Sequence, residues 1–355
     1  MIMTNAFSKA ALAACVALGF LVTPGASNAQ YAGSNVTGTA GLIAVDKVGN
    51  KIRFYDPATL AEIKVIDQPL KAVHELAISY DHRKAYIPIY GDGVYLANRN
   101  PGNKIVVVDL QSKEIEGIID LGINMAPHGI VATRSGMLWV VSDETNRLML
   151  VNPATKTVVE DYAVPGIGSH FIAMLPDESK IYISNKQSGV AVFNVARREF
   201  VGTIPLSPTT GIGRGSESLT PTPDGKRLVV ADNDENHLRI IDTMTDREVM
   251  KVPLRDRAPN PRVKLVKLMF SPDGKHLLAT NYGAGQAWVI DGADLHNQVM
   301  LSVAKGPQGV AFAPDGRIAL ISSHDSGLVS RVDLVSKRVL EVLDGGTGIE
   351  VLAYY

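Results

Sequence analysis

The sequence predicts an all-β fold, a seven-bladed β-propeller with four-stranded blades whose ring is closed by the C-terminal strand. Three observations predict it. A short apolar run ending in Asp or Asn recurs along the chain, a Pro-Asp-Gly turn recurs with it, and a strand-like run at the C-terminus completes the first repeat. Repeats of roughly 45 residues that hold four short strands each are typical of propeller blades.

The recurring run places three or four apolar residues before its Asp or Asn and returns at intervals of 42 to 53 residues. We interpret each copy as the third strand of one blade, which gives seven blades. The copies are Ile52–Asp56, Ile105–Asp109, Leu148–Asn152, Val190–Asn194, Leu238–Asp242, Ala287–Asp291 and Leu328–Asp333.

The strands of a single blade are clearest in the fourth repeat. We predict them at His170–Leu175, Lys180–Ser184, Gly189–Asn194 and Glu199–Ile204, with a tight turn after the first. Pro-Asp-Gly at 223–225, 272–274 and 314–316 marks the same turn in later blades. Proline presets its own φ, and glycine adopts the positive φ that such a turn requires.

The first repeat begins at its second strand, Gly41–Asp46, and lacks an innermost strand. The run Gly348–Tyr355 has no partner within its own repeat. We therefore predict that the C-terminus supplies the innermost strand of blade one, which leaves no open blade edge in the ring.

Two stretches carry a family resemblance. Ile181–Asn185 followed by Gly189–Asn194, and Leu277–Asn281 followed by Ala287–Asp291, resemble the YVTN-family β-propeller repeat. The resemblance covers nearly the whole chain after residue 40 and implies the propeller fold. It leaves the function open, because relatives include surface-layer proteins, lactonase-like enzymes and proteins encoded beside quinone-dependent dehydrogenases.

The N-terminus has the pattern of a secretory signal peptide. Lys9 precedes the apolar run Ala10–Val22, and the small-residue site Ser27-Asn28-Ala29 follows. We therefore expect residues 1–29 to be a signal peptide, residues 30–355 to form a single propeller domain, and the protein to be periplasmic or secreted. Lipidation of Cys15 is the alternative, although the apolar run continues past it.

Composition excludes several classes of partner. Thirty-five basic and thirty-six acidic side chains give a net charge of −1, so no global field attracts nucleic acid. After the N-terminal run no segment approaches the ~20 apolar residues of a membrane span. Cleavage after Ala29 would also remove the only cysteine, and with it any disulfide or thiolate chemistry.

One position in each blade falls on a common ring around the channel. This position lies seven residues before the turn between the first two strands of the blade, at the start of the innermost strand. In blade one the strand register is ambiguous, and the position is either Ile349 or Glu350. The other six residues of this ring are His74, His128, His170, Glu217, Val266 and Gln308.

Three adjacent imidazoles and a carboxylate on one ring predict a divalent metal site. His74, His128, His170 and Glu217 would hold an ion of the Zn, Fe, Cu or Ca/Mg class and leave one position open for water or substrate. Glu217 serves as the fourth ligand or as a general base, and His170 as an acid–base residue. A single histidine at such a position is otherwise a structural or water-binding channel residue.

The long loops between strands lie on the same face as this ring and predict a substrate site. From them we select Arg214 as a third catalytic candidate. Asp143, at the end of a second strand, is interpreted as a turn residue. The expected substrate-binding residues are Tyr90, Tyr282, Lys267, Gln308 and His324.

Three functions are consistent with this pattern. The first is an exported enzyme with metal-assisted hydrolase (lactonase), lyase or oxygenase chemistry on a small organic substrate. The second is metal-free acid–base catalysis by the imidazoles. The third is a non-catalytic periplasmic ligand-binding or accessory propeller that serves a redox or catabolic partner protein.

Overall fold

The computed structural model describes residues 40–68, 70, 72–95, 97–206, 216–232, 237–255 and 265–355. Their regular elements are 28 β-strands in seven four-stranded antiparallel sheets. These ranges contain no α-helix, and so no helix that could cross a membrane. The predicted seven-bladed propeller is confirmed, whereas the expected signal peptide 1–29, Cys15 and Arg214 lie outside the described residues.

Each blade runs from an innermost strand at the channel to an outermost strand at the rim. Blade one consists of Ile349–Tyr354 (β28), Leu42–Asp46 (β1), Lys51–Tyr55 (β2) and Glu62–Asp67 (β3). Blade two consists of Ala77–Ile78 (β4), Lys84–Gly91 (β5), Pro101–Asp109 (β6) and Glu114–Asp120 (β7). Blade three consists of Pro127–Ala132 (β8), Leu138–Ser142 (β9), Arg147–Asn152 (β10) and Thr157–Ala163 (β11).

The remaining four blades repeat this arrangement. Blade four consists of Ser169–Met174 (β12), Lys180–Asn185 (β13), Val190–Asn194 (β14) and Glu199–Ile204 (β15). Blade five consists of Ser216–Pro221 (β16), Arg227–Asp232 (β17), His237–Asp242 (β18) and Arg247–Pro253 (β19). Blade six consists of Leu265–Phe270 (β20), His276–Asn281 (β21), Gln286–Asp291 (β22) and Gln298–Ser302 (β23), and blade seven of Pro307–Phe312 (β24), Ile318–Ser323 (β25), Leu328–Asp333 (β26) and Arg338–Asp344 (β27).

The ring closes as the sequence predicts. Strand β28 pairs antiparallel with β1, from Leu42 opposite Tyr354 to Asp46 opposite Ile349. The Tyr355 N–H donates to Gly41 O at 3.0 Å, and the Gly41 N–H donates to Tyr355 O at 3.2 Å. Backbone hydrogen bonds between β1 and β28 therefore join the first and last described strands in one sheet.

The hydrophobic core lies between neighbouring blades. Ile130 and Val140 of blade three pack with Ile105 of blade two, and Trp139 of blade three contacts Phe193 of blade four with ring centroids 5.3 Å apart. Inner strands are buried on both faces, whereas outer strands alternate exposed and half-buried residues. This pattern follows from sheets that pack face to face around an axis.

The innermost strands share an irregularity that positions the site. The pairing register shifts at the second residue of β20 and at the second and third residues of β8, β12, β16 and β24. Such a bulge redirects side chains, and here it turns second residues toward the channel. The displaced N–H groups are satisfied by hydroxyls of the second strand: Phe171 N–H donates to Ser184 Oγ at 2.9 Å, and Lys267 N–H to Thr280 Oγ1 at 3.2 Å.

Candidate functional site

A cavity of about 170 Å³ opens at one end of the channel. It is smaller than the roughly 300–1,000 Å³ of pockets for drug-sized ligands, so a ligand that it encloses is small. Its walls are formed by Lys47, His74, Tyr90, Val94, Tyr95, His128, His170, Phe171, Lys186, Glu217, Val266, Tyr282, Gln308, His324 and Glu350.

The first set of wall residues is the ring expected from the sequence, here called the inner ring. Its members occupy the second position of the innermost strands, or the equivalent position before the short β4, and all of them line the cavity. The register left open in blade one is resolved in favour of Glu350, because the closing strand begins at Ile349. The inner ring is His74, His128, His170, Glu217, Val266, Gln308 and Glu350.

A second set of residues, the upper ring, stands at the channel end of the second strands. Each member follows its strand, except in blade two, where Tyr90 is the penultimate residue of the longer β5. In blade four, Asn185 pairs with Ser169, so the next residue, Lys186, stands at the mouth above His170. In blade five this position lies outside the described residues. The described members of the upper ring are Lys47, Tyr90, Asp143, Lys186, Tyr282 and His324, and all of them except Asp143 line the cavity.

Three imidazoles contact one another along one side of the inner ring, His74 and His128 edge to face and His128 and His170 at a tilt. The His128 ring centroid lies 4.4 Å from that of His74 and 3.7 Å from that of His170. Burial lowers the pKa of both His74 and His128 well below the ordinary value, and the neighbouring positive groups lower it further. Both rings are therefore neutral at pH 7, the state in which imidazole binds metals.

His74 and His128 form, together with Glu75, a group that could hold a metal ion. One potential ligand atom from each of the three lies within 4.8 Å of the others. Nδ1 of His74 and Nδ1 of His128 are enclosed and have no hydrogen-bond partner among the described residues. Buried nitrogens of this kind are costly unless a partner is supplied, so a metal ion fits the donor set.

His170 has a different environment, because carboxylates face both of its nitrogens. Nδ1 lies 3.2 Å from Asp143 Oδ2, and Nε2 lies 3.4 Å from Glu217 Oε1. Asp143 Oδ2 also accepts the Tyr90 hydroxyl at 2.8 Å. Asp143 lies in the turn that follows β9, as expected from the sequence, and in addition its carboxylate orients His170 and Tyr90.

Glu350 organises the wall beside His74. It accepts from Gln308 Nε2 at 2.6 Å and forms an ion pair with Lys47 at 3.3 Å. Its Oε1 lies 3.1 Å from His74 Nδ1, but without the angles of a hydrogen bond. Burial raises the pKa of Glu350, and the Lys47 charge opposes that shift.

A second Tyr–Asp–His cluster stands on the wall formed by blades six and seven. The Tyr282 hydroxyl donates to Asp325 Oδ1 and lies 3.3 Å from His324 Nδ1. The same Asp325 oxygen lies 3.3 Å from His324 Nδ1. Tyr282 and His324 line the cavity that His170 lines, so two histidines with aspartate partners face one space.

The channel is bridged just below the inner ring. Lys267 Nζ of blade six lies 3.0 Å from Glu75 Oε2 of blade two, and both side chains are at most 4% exposed. The same ammonium stands 4.8 Å above the Phe171 ring of blade four. Lys267, which the sequence suggested as a substrate-binding residue, is thus part of this floor and does not line the cavity.

The structure therefore brings nearly all of the expected site residues together. The inner-ring histidines, Glu217, Tyr90, Tyr282, Gln308 and His324 share the cavity. The sequence reasoning overlooked Glu75, Lys47, Lys186 and Asp325. A usable signal existed for Lys47 and Lys186, since both follow the last residue of a second strand, as Tyr282 and His324 do.

Comparisons with known proteins support the fold. No protein family model and no curated protein matches the chain. Among solved structures it is similar to a hydrazine synthase from Kuenenia stuttgartiensis, with 17% identity, 81% of this chain and 91% of that chain covered, and a TM-score of 0.66.

Two further structures show the same likeness. A functionally unknown protein from Desulfotomaculum acetoxidans has 15% identity, coverages of 88% and 98%, and a TM-score of 0.70. The dihydro-heme d1 dehydrogenase NirN in complex with DHE has 14% identity, coverages of 88% and 75%, and a TM-score of 0.61. Identities this low establish shared architecture alone, and the fold they support is the seven-bladed β-propeller.

Proposed function

We propose that the chain is an enzyme that hydrolyses a small ester or lactone at the channel mouth, with a divalent metal ion held by His74, Glu75 and His128 and with His170 as the proton-transfer residue. One observation carries the proposal. Two neutral imidazoles, each with an enclosed Nδ1 that makes no hydrogen bond within the described residues, and a carboxylate stand beside a third imidazole that carboxylates orient from both sides.

The donor set narrows the choice of metal. Two imidazoles and one carboxylate are ligands that zinc and ferrous iron share, whereas calcium and magnesium prefer oxygen ligands alone. We therefore propose zinc or iron over the Ca/Mg class. Such an ion, when bound, would polarise a substrate carbonyl oxygen as a Lewis acid.

His170 can move a proton at Nε2. Asp143 makes the shorter of the two carboxylate contacts, 3.2 Å against 3.4 Å for Glu217, so the neutral ring carries its proton on Nδ1 and keeps the Nε2 lone pair at the cavity. Nε2 accepts the proton of a water molecule as that water attacks the carbonyl carbon, and returns it to the leaving oxygen when the acyl–oxygen bond breaks. Glu217 stabilises the charged imidazole between these two steps, so the set of four ligands expected from the sequence divides into a metal group and a proton-transfer group.

A lyase is the second candidate, and the Tyr282–Asp325–His324 cluster favours it. Elimination needs a base for the C–H proton and an acid for the leaving group, and two histidines with aspartate partners face this cavity. His170 and His324 could divide these two tasks.

We further propose that the chain is an exported YVTN-type propeller whose mature form begins near residue 30. The hydroxyls of Ser184 and Thr280, which belong to the motifs that carry the resemblance, support the family assignment through their bonds to bulge N–H groups. A small molecule is the partner that this cavity suits. An accessory role beside a redox or catabolic protein is the competing hypothesis.

Metal analysis tests the proposal directly. The purified protein is loaded separately with Zn²⁺, Fe²⁺, Mn²⁺ and Ca²⁺, dialysed, and analysed for bound metal. We expect about one equivalent of zinc or iron in the wild type and its loss in His128→Ala. His296→Ala is the matched control, because His296 is an exposed histidine remote from the channel.

A wild-type protein that retains no metal under any loading condition overturns the metal assignment. Turnover is then measured on a panel of small lactones and esters with wild type and His170→Gln. Equal rates in the two proteins overturn the assignment of His170.

A further inference from the structure

The upper ring contains one cation whose surroundings differ from those of every other buried charge described above. The Lys186 side chain is 9% exposed and its ammonium stands at the cavity wall. It forms an ion pair with Glu217 Oε1 at 3.6 Å, without a hydrogen bond. Its other contact is the face of the Tyr95 ring, 5.6 Å from Nζ.

The Lys186 ammonium therefore has N–H donors that make no hydrogen bond to the described residues. An ammonium carries three N–H donors, and Lys186 Nζ donates none of them to a residue in the described part of the chain. Burying a charged donor without hydrogen-bond partners is costly. A polar ligand that accepts these donors would recover part of that cost.

The other two lysines of the channel lack this feature. Lys47 donates to Glu350 and pairs with it at 3.3 Å, and Lys267 donates to Glu75 at 3.0 Å. Both donate a hydrogen bond to their carboxylate, whereas Lys186 forms only the ion pair with Glu217. Lys186 is therefore the cation at this mouth that is placed to recognise an external anion.

We propose that Lys186 binds the carboxylate of a small organic acid, so that the substrates of this site are small carboxylates. The inference rests on the proposed function for its catalytic meaning, although the binding itself needs neither metal nor turnover. Lys186 Nζ and His170 Nε2 both lie within 3.6 Å of one Glu217 oxygen. A carboxylate on Lys186 therefore holds the rest of the molecule beside the proton-transfer residue, and the cavity of about 170 Å³ restricts that molecule to a short chain.

The test compares two probes of the same shape, propionate and propionamide, by NMR titration of protein that has been treated with a chelator. Removing metal ensures that a carboxylate bound to an ion is not mistaken for one bound to Lys186. We expect saturable propionate binding, at least tenfold weaker propionamide binding, and at least tenfold weaker propionate binding in Lys186→Met. Lys186→Arg retains the cation and is expected to keep binding within threefold.

Lys226→Met is the control, because Lys226 is an exposed lysine in a turn of blade five. No saturable propionate binding, equal affinity for the two probes, or unchanged affinity in Lys186→Met overturns the inference. The probe comparison in the wild type gives an answer even if Lys186→Met does not fold. Failure of the metal analysis with retained propionate binding would reject the proposed metal enzyme and leave the carboxylate site standing.

Discussion

His170 Nδ1 lies 3.2 Å from Asp143 Oδ2, and this contact joins the innermost strand of blade four to the end of the second strand of blade three. Replacing the carboxylate in Asp143→Asn removes the charge that selects the Nδ1–H tautomer. We expect ¹⁵N NMR of the His170 ring to show mixed tautomers, and turnover to fall by the roughly 10²–10⁴-fold that a positioned general base contributes.

Tyr90→Phe is the control for this change. It removes one hydrogen bond to Asp143 and leaves the carboxylate in place, which costs about 1 kcal/mol, or about fivefold in turnover. An unchanged His170 tautomer in Asp143→Asn would show that the aspartate does not orient the ring.

The buried pair of Lys267 and Glu75 predicts a large loss of stability when one partner is removed. In chelator-treated, metal-free protein Lys267→Met leaves the Glu75 carboxylate buried without a cation, and we expect the free energy of unfolding to fall by about 3–5 kcal/mol in urea denaturation. Lys104→Met breaks the surface pair with Asp120 and should cost less than about 1 kcal/mol. A loss below 1 kcal/mol for Lys267→Met would mean that the pair does not secure the channel floor.

His74 and His128 predict that the stability of the metal-free, chelator-treated protein declines in mild acid. The pKa of His74 and of His128 is lowered in the folded protein, so below the ordinary value of 6.5 the unfolded chain binds more protons than the folded one. The free energy of unfolding should therefore fall between pH 7.5 and 5. The raised pKa of Glu350 has the opposite sign and offsets part of this at the acidic end.

Thermal unfolding at a series of pH values measures this effect. A His74→Gln/His128→Gln variant should show a shallower decline than the wild type. Parallel curves for the two proteins would contradict the assignment of the acid sensitivity to these rings.

The bulge hydroxyl of Ser184 predicts a stability change far larger than its size suggests. Ser184→Ala removes the acceptor of the Phe171 N–H, which is buried, and should cost about 1–3 kcal/mol. Ser179→Ala, in an exposed turn of the same blade, should change stability by less than about 0.5 kcal/mol. Equal denaturation midpoints for the two variants would argue against this role of the hydroxyl.

Ring closure predicts that the C-terminal strand is indispensable. Deleting residues 347–355 removes the innermost strand of blade one and exposes the edge of β1, so we expect loss of soluble expression. Tyr355→Phe is the mild control, since the Tyr355 hydroxyl is buried without a hydrogen-bond partner among the described residues. A deletion variant with the melting curve of the wild type would contradict closure by β28.

The architecture was predictable because each blade repeats the same local sequence pattern of turn residues and apolar runs. Turn residues and apolar runs depend on the next few residues of the chain, and their recurrence gave the seven blades, the strands of blade four and the closing strand. Rotational equivalence then extended the prediction to the inner ring. It also identified His74, His128, His170 and Glu217 as neighbours around the channel.

The sequence by itself thus determined the fold and the composition of the inner ring. The tertiary structure decided the partners. Glu75 and Lys267 are 192 positions apart and meet only because blades two and six face each other across the channel. Likewise, Asp143 resembles any turn aspartate until the strand register places it beside His170. The period of a strand determines which face of the sheet a residue occupies. The distance between side chains on different blades depends instead on how the whole ring closes. That distance determines which groups can bind a metal, transfer a proton or remain available to a ligand.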